Sequence, residues 1–303
     1  MRLLCICIVF TFVGLETLSA QNLMIPSELE SMLCGEFSNY AQWRECNASG
    51  TETVPHLNAI ITKLDVSDSE QLIAHVFIHE NERSDNVLFN GIWNLKIADD
   101  GSYKLRVIPN YNYKTIVTDR GEDNFSDLLH SAKQLTKNSI ILNIFHYDQA
   151  KLSGYIKGAD DNLSRILDIG PDYIRIRQFR LNSVRMEFER NIDSVLEMEK
   201  CVYYEGWAAI RNETSRGEFQ IFRNLRFHNK GQTVKLVTGQ GDTTKYSLRL
   251  EQISNKGNQV RNLRLSLLKH SLKEPVLYIW GDERASSLGM NLNWFQIGLK
   301  KCK

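Results

Sequence analysis

From His56 onward, hydrophobic and polar residues alternate with a period of two, the pattern of strands with one buried and one wet face. The clearest case is VLFNGIWNLKIADDGSYKLRVIP. Val87, Phe89, Trp93, Leu95 and Ile97 lie on one side, Asp99-Asp100-Gly101 supplies a turn, and Tyr103, Leu105 and Val107 resume that side while Lys104 and Arg106 face water. The pattern returns at Phe219, Ile221, Leu225 and Phe227, at Val234 and Leu236, and at Tyr246, Leu248 and Leu250. After an Asn255–Asn258 turn it returns once more at Leu263, Leu265 and Leu267. Further strands are predicted over 71–80, 139–146, 173–181, 183–189, 201–210, 275–280 and 292–299. One wet face excludes a parallel α/β sheet covered on both sides. The number of strands fits a large antiparallel β-barrel or a barrel-like sandwich.

Helices are few. Ser27-Glu28-Leu29-Glu30 has the capping-box pattern and predicts a helix through Leu33 that Gly35 ends. Ser38 opens a second, with Tyr40 and Trp43 on one face to lie across the end of a sheet. A third is predicted over Asp127–Leu135 within a long polar connection at 109–138, and a helical turn near Leu163–Leu167. These elements predict one antiparallel β domain over 21–303, with a possible seam at 191–200, where IDSVLEMEK separates two β blocks.

The opening MRLLCICIVFTFVGLETLSA reads as a secretory signal peptide over 1–20: one basic residue, an apolar run from Leu3 to Leu15, then small residues. That run is shorter than a spanning helix needs, and no later apolar run is long enough, so the mature chain is expected to be secreted or periplasmic with no membrane span. Export gives the cysteines left after cleavage an oxidising compartment. Cys34, Cys46, Cys201 and Cys302 are therefore expected to form two disulfides, with Cys34–Cys46 and Cys201–Cys302 favoured among three connectivities. A net charge of +1 with interspersed signs points to no nucleic acid partner.

Candidate chemistry is sparse. His75 and His79 in HVFIHE would pair on a helix, but their β-branched and aromatic neighbours predict a strand, where residues four apart stand about 13 Å from each other and cannot share a metal. No G-x-S-x-G, phosphate loop or dinucleotide fingerprint occurs, and the seven histidines are scattered. Arg175, Arg177, Arg180 and Arg185, followed by Glu187 and Glu189, form either a basic stripe for an acidic ligand or a wet strand face that pairs with neighbouring glutamates. Gly91-Ile92-Trp93 is echoed by Glu205-Gly206-Trp207, and both tryptophans are expected in the core. Sequons occur at Asn47, Asn124, Asn162 and Asn212.

The stretch LESMLCGEFSNYAQWRE, with Gly35, Phe37, Ser38, Asn39 and Gln42, precedes a strand bearing His56, a second at Leu72–Ile78, and a hairpin. Over roughly residues 28–108 this order resembles the CpcT/CpeT-type chromophore lyase family. The resemblance implies a calycin- or lipocalin-like antiparallel barrel with a cavity for a bilin. Phe89, Asn90 and Gly91 stand where that family has polar and basic residues, so it does not imply lyase catalysis.

The expected function is that of an exported, non-catalytic binding protein for a small hydrophobic or tetrapyrrole-like ligand. Trp93, Tyr103, Trp207, Arg175 and Arg177 are the candidate contacts. The alternatives are a structural or surface-interaction β module with a filled core, and a CpcT/CpeT-like lyase or other exported enzyme. No cofactor or metal is expected, and the sequence names no protein partner.

Overall fold

The computed structural model describes residues 27–50, 54–64, 71–81, 87–98, 102–109, 140–148, 151–157, 163–182, 187–211, 217–254, 261–270, 272 and 274–302. Several expectations lie outside these residues: the leader, the Asp99–Gly101 and Asn255–Asn258 turns, the helix over Asp127–Leu135 with most of its connection, and the sequons at Asn124, Asn162 and Asn212.

Helices α1 (Ser27–Leu33) and α2 (Tyr40–Ser49) flank the short strand β1 (Gly35–Ser38). Nine longer strands follow: β2 (Leu57–Leu64), β3 (Gln71–Glu80), β4 (Val87–Ile97), β5 (Tyr103–Pro109), β6 (Ile140–Asp148), β7 (Lys151–Lys157), β8 (Leu163–Gly170), β9 (Tyr173–Asn182) and β10 (Glu187–Lys200). They run as an antiparallel meander, and β1 bridges β10 and β2 to close a barrel, which leaves no unpaired edge. Leu72, Leu95 and Leu105 form one buried rung across β3, β4 and β5. Phe37, Val76, Trp93, Ile169 and Met198 belong to the same cluster, and Leu29, Met32 and Leu33 bring α1 into it.

The chain then forms two further sheets. One has the order β12 (Phe219–His228), β11 (Tyr203–Arg211), β18 (Phe295–Lys301), β17 (Ser287–Asn291). The other runs β13 (Lys230–Val237), β14 (Thr243–Ser254), β15 (Arg261–Lys269), β16 (Leu277–Asp282). Tyr204, Phe227 and Ile297 of the first sheet share a second core with Leu248, Leu250 and Leu265 of the other, so the inner faces of the two sheets pack together. The changeover from barrel to sheets comes at Cys201-Val202.

Local differences from the sequence reading have identifiable causes. Leu163–Leu167 is strand, because β8 is paired on both sides and turns Leu167 and Ile169 inward. IDSVLEMEK lies within β10, with Leu196 and Met198 inward. Ser38 belongs to β1, where its hydroxyl donates to Leu57 O at 3.1 Å. Asn39, which precedes α2, accepts the Leu57 N–H at 2.6 Å and donates to Pro55 O at 2.9 Å, tying the helix to β2. In β12 the positive φ of Asn224 goes with a shift of register against β11. That bulge reverses the faces, so Phe222 is buried and Ile221 is exposed.

The four cysteines are free, contrary to the expected disulfides. Cys34 ends α1 and Cys46 lies inside α2, with β1 between them. Cys302 donates its N–H to Tyr203 O at 2.9 Å, which puts it opposite Tyr203 and two residues out of step with Cys201.

Candidate functional site

Helix α2 lies where the barrel meets the two four-stranded sheets. Its Gln42 side chain donates to Val195 O at 2.6 Å and accepts the Glu197 N–H at 3.1 Å, satisfying β10 backbone beside the register shift between Arg190 and Val195. Tyr40, Trp43 and the buried His56 gather their rings within 5.1–5.6 Å centroid distances. Tyr40 reaches out of the barrel onto the β13–β14 sheet. It lies against Gly231, whose φ of 77° and lack of a Cβ make the approach possible, since a Cβ there would stand 2.3 Å from Cε2 of the ring.

The Tyr40 hydroxyl donates to Glu251, a β14 carboxylate that is only 2% exposed. Glu251 Oε2 also accepts from Arg264 Nε at 3.0 Å and Nη2 at 2.7 Å, and lies 3.4 Å from Arg249 Nε. Arg264 in turn stands 5.9 Å from the ring centre of Tyr278 and 5.8 Å from that of Trp280. The two rings are 6.0 Å apart and nearly perpendicular, and they are 53% and 52% exposed on the outer face of β16, an edge strand. A single line of contacts thus runs from a barrel helix through a buried carboxylate to an aromatic pair in water.

A second polar group lies beside it. Lys230, 4% exposed, donates to Glu199 of β10 and to Gln252, and Arg261 pairs with the other Glu199 oxygen at 2.9 Å. Tyr203 donates to Glu36, and Asn229 joins Val202 to β14 through backbone and side chain. Burial would raise the Glu199 carboxyl, but Lys230 and Arg261 outweigh it and hold the pKa below the usual value. Burial and then the Glu251 charge push the Tyr40 phenol upward, so it stays a donor. His56 is lowered to about 4 and His228 to about 3, both chiefly by burial. His228 Nδ1 accepts the Lys230 N–H at 3.1 Å, which requires the neutral ring. These are donors and charges with fixed partners, suited to holding surfaces in place and not to shuttling protons. Among the described residues no group of three His, Cys, Asp or Glu side chains could hold a metal ion.

The candidates from sequence are dispersed. Trp93 and Tyr103 lie in the barrel cluster. Trp207, expected in the core, is 41% exposed on the outer side of β11, where its indole lies over Gly298 on β18. The parity of β11 explains this, because Tyr204, Ala208 and Ile210 take the inward positions. Arg175 pairs with Glu197 across the β9–β10 ladder at 2.6 Å, and Arg177 with the buried Asp168 at 3.4 Å. Their guanidinium groups are thus engaged by neighbouring strands. His75 is on strand β3, bonded to Asn90 at 2.7 Å. Sequence reasoning missed Tyr40, Glu251, Arg264, Tyr278 and Trp280 as a set. The one signal available was Tyr278 and Trp280 two apart in a strand candidate, which places both on one face.

The class these features define is an all-β protein that joins a closed antiparallel barrel to two packed four-stranded sheets. Comparison with protein families, with curated proteins and with solved structures finds no match to this chain.

Proposed function

We propose that the chain is an exported, non-catalytic binding protein whose ligand rests on the outer face of β15 and β16, against Arg264, Tyr278 and Trp280. The observation that carries this reading is the pair of half-exposed rings fixed by a guanidinium that is itself held by a buried carboxylate. Exposed aromatic surface bordered by fixed polar groups is the common signature of a recognition site. Preorganisation also lowers the entropy cost of binding, because Arg264 is already ordered before a ligand arrives. The reading takes the outer face in preference to the lumen expected from sequence. Phe37, Trp93, Leu95, Leu105 and Met198 pack together inside the barrel, with α1 against them. The backbones of β4 and β10, which are not neighbours in the ring, also come within 8 Å of each other.

The test is a thermal-shift screen of the mature chain against glycans, lipids, tetrapyrroles and short peptides, followed by hydroxyl-radical footprinting with each stabilising compound. A stabiliser that protects Trp280 and Tyr278 supports the reading. Stabilisers that protect only barrel residues, or none at all, would overturn it.

A further inference from the structure

Resting on that reading, we infer that the ligand is an anionic glycan lying across the strands, from β16 toward β13. The strand register carries the inference. On the outer face Tyr278 is opposite Ser266, Ser266 opposite Arg249, and Arg249 opposite Thr233, a continuous row of ring, hydroxyl, guanidinium and hydroxyl. The next row is Trp280, Arg264 and Glu251, and Tyr40 closes it by binding Glu251. Neighbouring strands are about 4.8 Å apart, so the accessible groups of the first row, Tyr278, Arg249 and Thr233, are set at multiples of that step. An oligosaccharide meets that spacing with ring faces that stack on aromatics and hydroxyls that take hydrogen bonds. A peptide added to the β16 edge would use the edge backbone and leave this row untouched.

Two further observations favour a ligand with oxygen acceptors and negative charge. Ser266 Oγ, fully buried, has no hydrogen-bond partner, and Arg249 Nε meets Glu251 Oε2 only as an ion pair at 3.4 Å without hydrogen-bond geometry, although both lie in this row. A desolvated polar atom without a good partner is costly, and a ligand oxygen can reach the Arg249 side chain, which is 32% exposed, without moving the rings. On this outer face Arg249, Arg264 and Lys235, the last opposite Ser247, outnumber the carboxylates of Glu251 and Asp282 by one. A uronate carboxylate or a sugar sulfate beside Arg249 would balance the excess charge.

The experiment is calorimetric titration of the full mature chain at physiological salt with oligogalacturonate hexamer, a heparin hexasaccharide and neutral cellohexaose. The expected result is saturable binding of one of the two anionic chains, at least tenfold tighter than cellohexaose, with the anionic arms separating carboxylate from sulfate recognition. Trp280→Ala and Arg249→Gln should each weaken that binding at least tenfold, while Trp280→Phe, which keeps a ring, should retain most of it. Trp280 is exposed, so its variants should keep the native circular dichroism, and an affinity loss in them is not loss of fold. Equal affinity for the neutral chain would overturn the inference, as would anionic binding that Trp280→Ala leaves intact, since that is charge attraction alone. If no glycan binds and footprinting shows another compound protecting Trp280, the glycan inference falls and the binding reading stands. If nothing protects Trp280, both fall.

Discussion

Replacing Glu251 by Gln keeps the shape of the side chain and removes only its charge. In the folded protein that carboxylate accepts from Tyr40 and doubly from Arg264, with Arg249 3.4 Å away, and it is almost inaccessible to water. Breaking a buried charge pair by removing one member costs about 3–5 kcal/mol, because the remaining charge is left desolvated. Here the remaining guanidinium groups are not fully enclosed: Arg264 and Arg249 retain side-chain exposures of 21% and 32%. They can turn partly to water, which brings the expected loss down to about 2–3 kcal/mol. With a urea slope of about 2 kcal/mol per molar, that is a midpoint lower by about 1–1.5 M.

Tyr40→Phe removes one hydrogen bond to a charged acceptor and should cost about 1.5–3 kcal/mol. The two residues share that bond, so the double variant should lose less than the sum of the single losses, a coupling of about 0.5 kcal/mol or more. The assay is urea unfolding followed by tryptophan fluorescence, which samples both cores through Trp93 and Trp294. A Glu251→Gln protein that loses less than about 1 kcal/mol, or strict additivity with Tyr40→Phe, would refute the account of Glu251 as the joint between barrel and sheets.

Stability should fall with acid. His56 and His228 have folded pKa values of about 4 and about 3, below their ordinary 6.5, so the unfolded chain takes up protons first and the loss begins as pH drops through 6.5, reaching at most about 2 kcal/mol for each histidine at pH 5. Melting temperatures between pH 7.5 and 5 should therefore decline, and less steeply in His56→Gln/His228→Gln; a flat profile in the parent protein would contradict the burial of both rings as neutral groups. Gly231→Ala should cost about 2–4 kcal/mol in chemical denaturation, from left-handed backbone strain plus the contact with Tyr40. Gly239→Ala, where an added Cβ meets nothing within 4 Å, should be near neutral and serves as its control. Mass spectrometry after alkylation in denaturant without reductant should find Cys34, Cys46, Cys201 and Cys302 all labelled; in the native protein Cys201 should react slowest, because burial and then the Glu36 charge push its thiol up. Any pair that resists labelling until reduced would show a disulfide that the fold does not contain.

The barrel was legible where alternation was regular, because a period of two fixes which side chains share a face whatever lies opposite. Trp93, Leu95 and Leu105 could thus be assigned to the core without knowledge of their partners. Parity alone failed where one residue broke the count. The Asn224 bulge moves the buried position from Ile221 to Phe222, and a bulge of this kind depends on the neighbouring strand's register as much as on the residue itself. Trp207 was assigned by residue type, yet its face is set by Tyr204, Ala208 and Ile210 on the opposite parity. The cysteines misled for a related reason: an even count says nothing about register, and here Cys302 is opposite Tyr203. The Tyr40–Glu251–Arg264 line could not be read at all. Tyr40 and Glu251 are 211 positions apart in sequence, and each member alone is an ordinary residue for its element.

What that line does for the molecule follows from where it is anchored. Trp280 and Tyr278 lie on a sheet edge, the least constrained place in a sheet, and exposed aromatic rings there would ordinarily sample several rotamers. Arg264 restricts them by lying against both, yet Arg264 could itself point to water if nothing held its head group. Glu251 holds it through two bonds to one oxygen, and Glu251 is kept in place by Tyr40, which rests on Gly231 and belongs to a helix fastened to the barrel by Asn39 and Gln42. Each step transfers the rigidity of a better-packed element to a more exposed one. The closed barrel then acts as a mount that fixes the aromatic face, and the attachment between barrel and sheets becomes part of the proposed recognition surface.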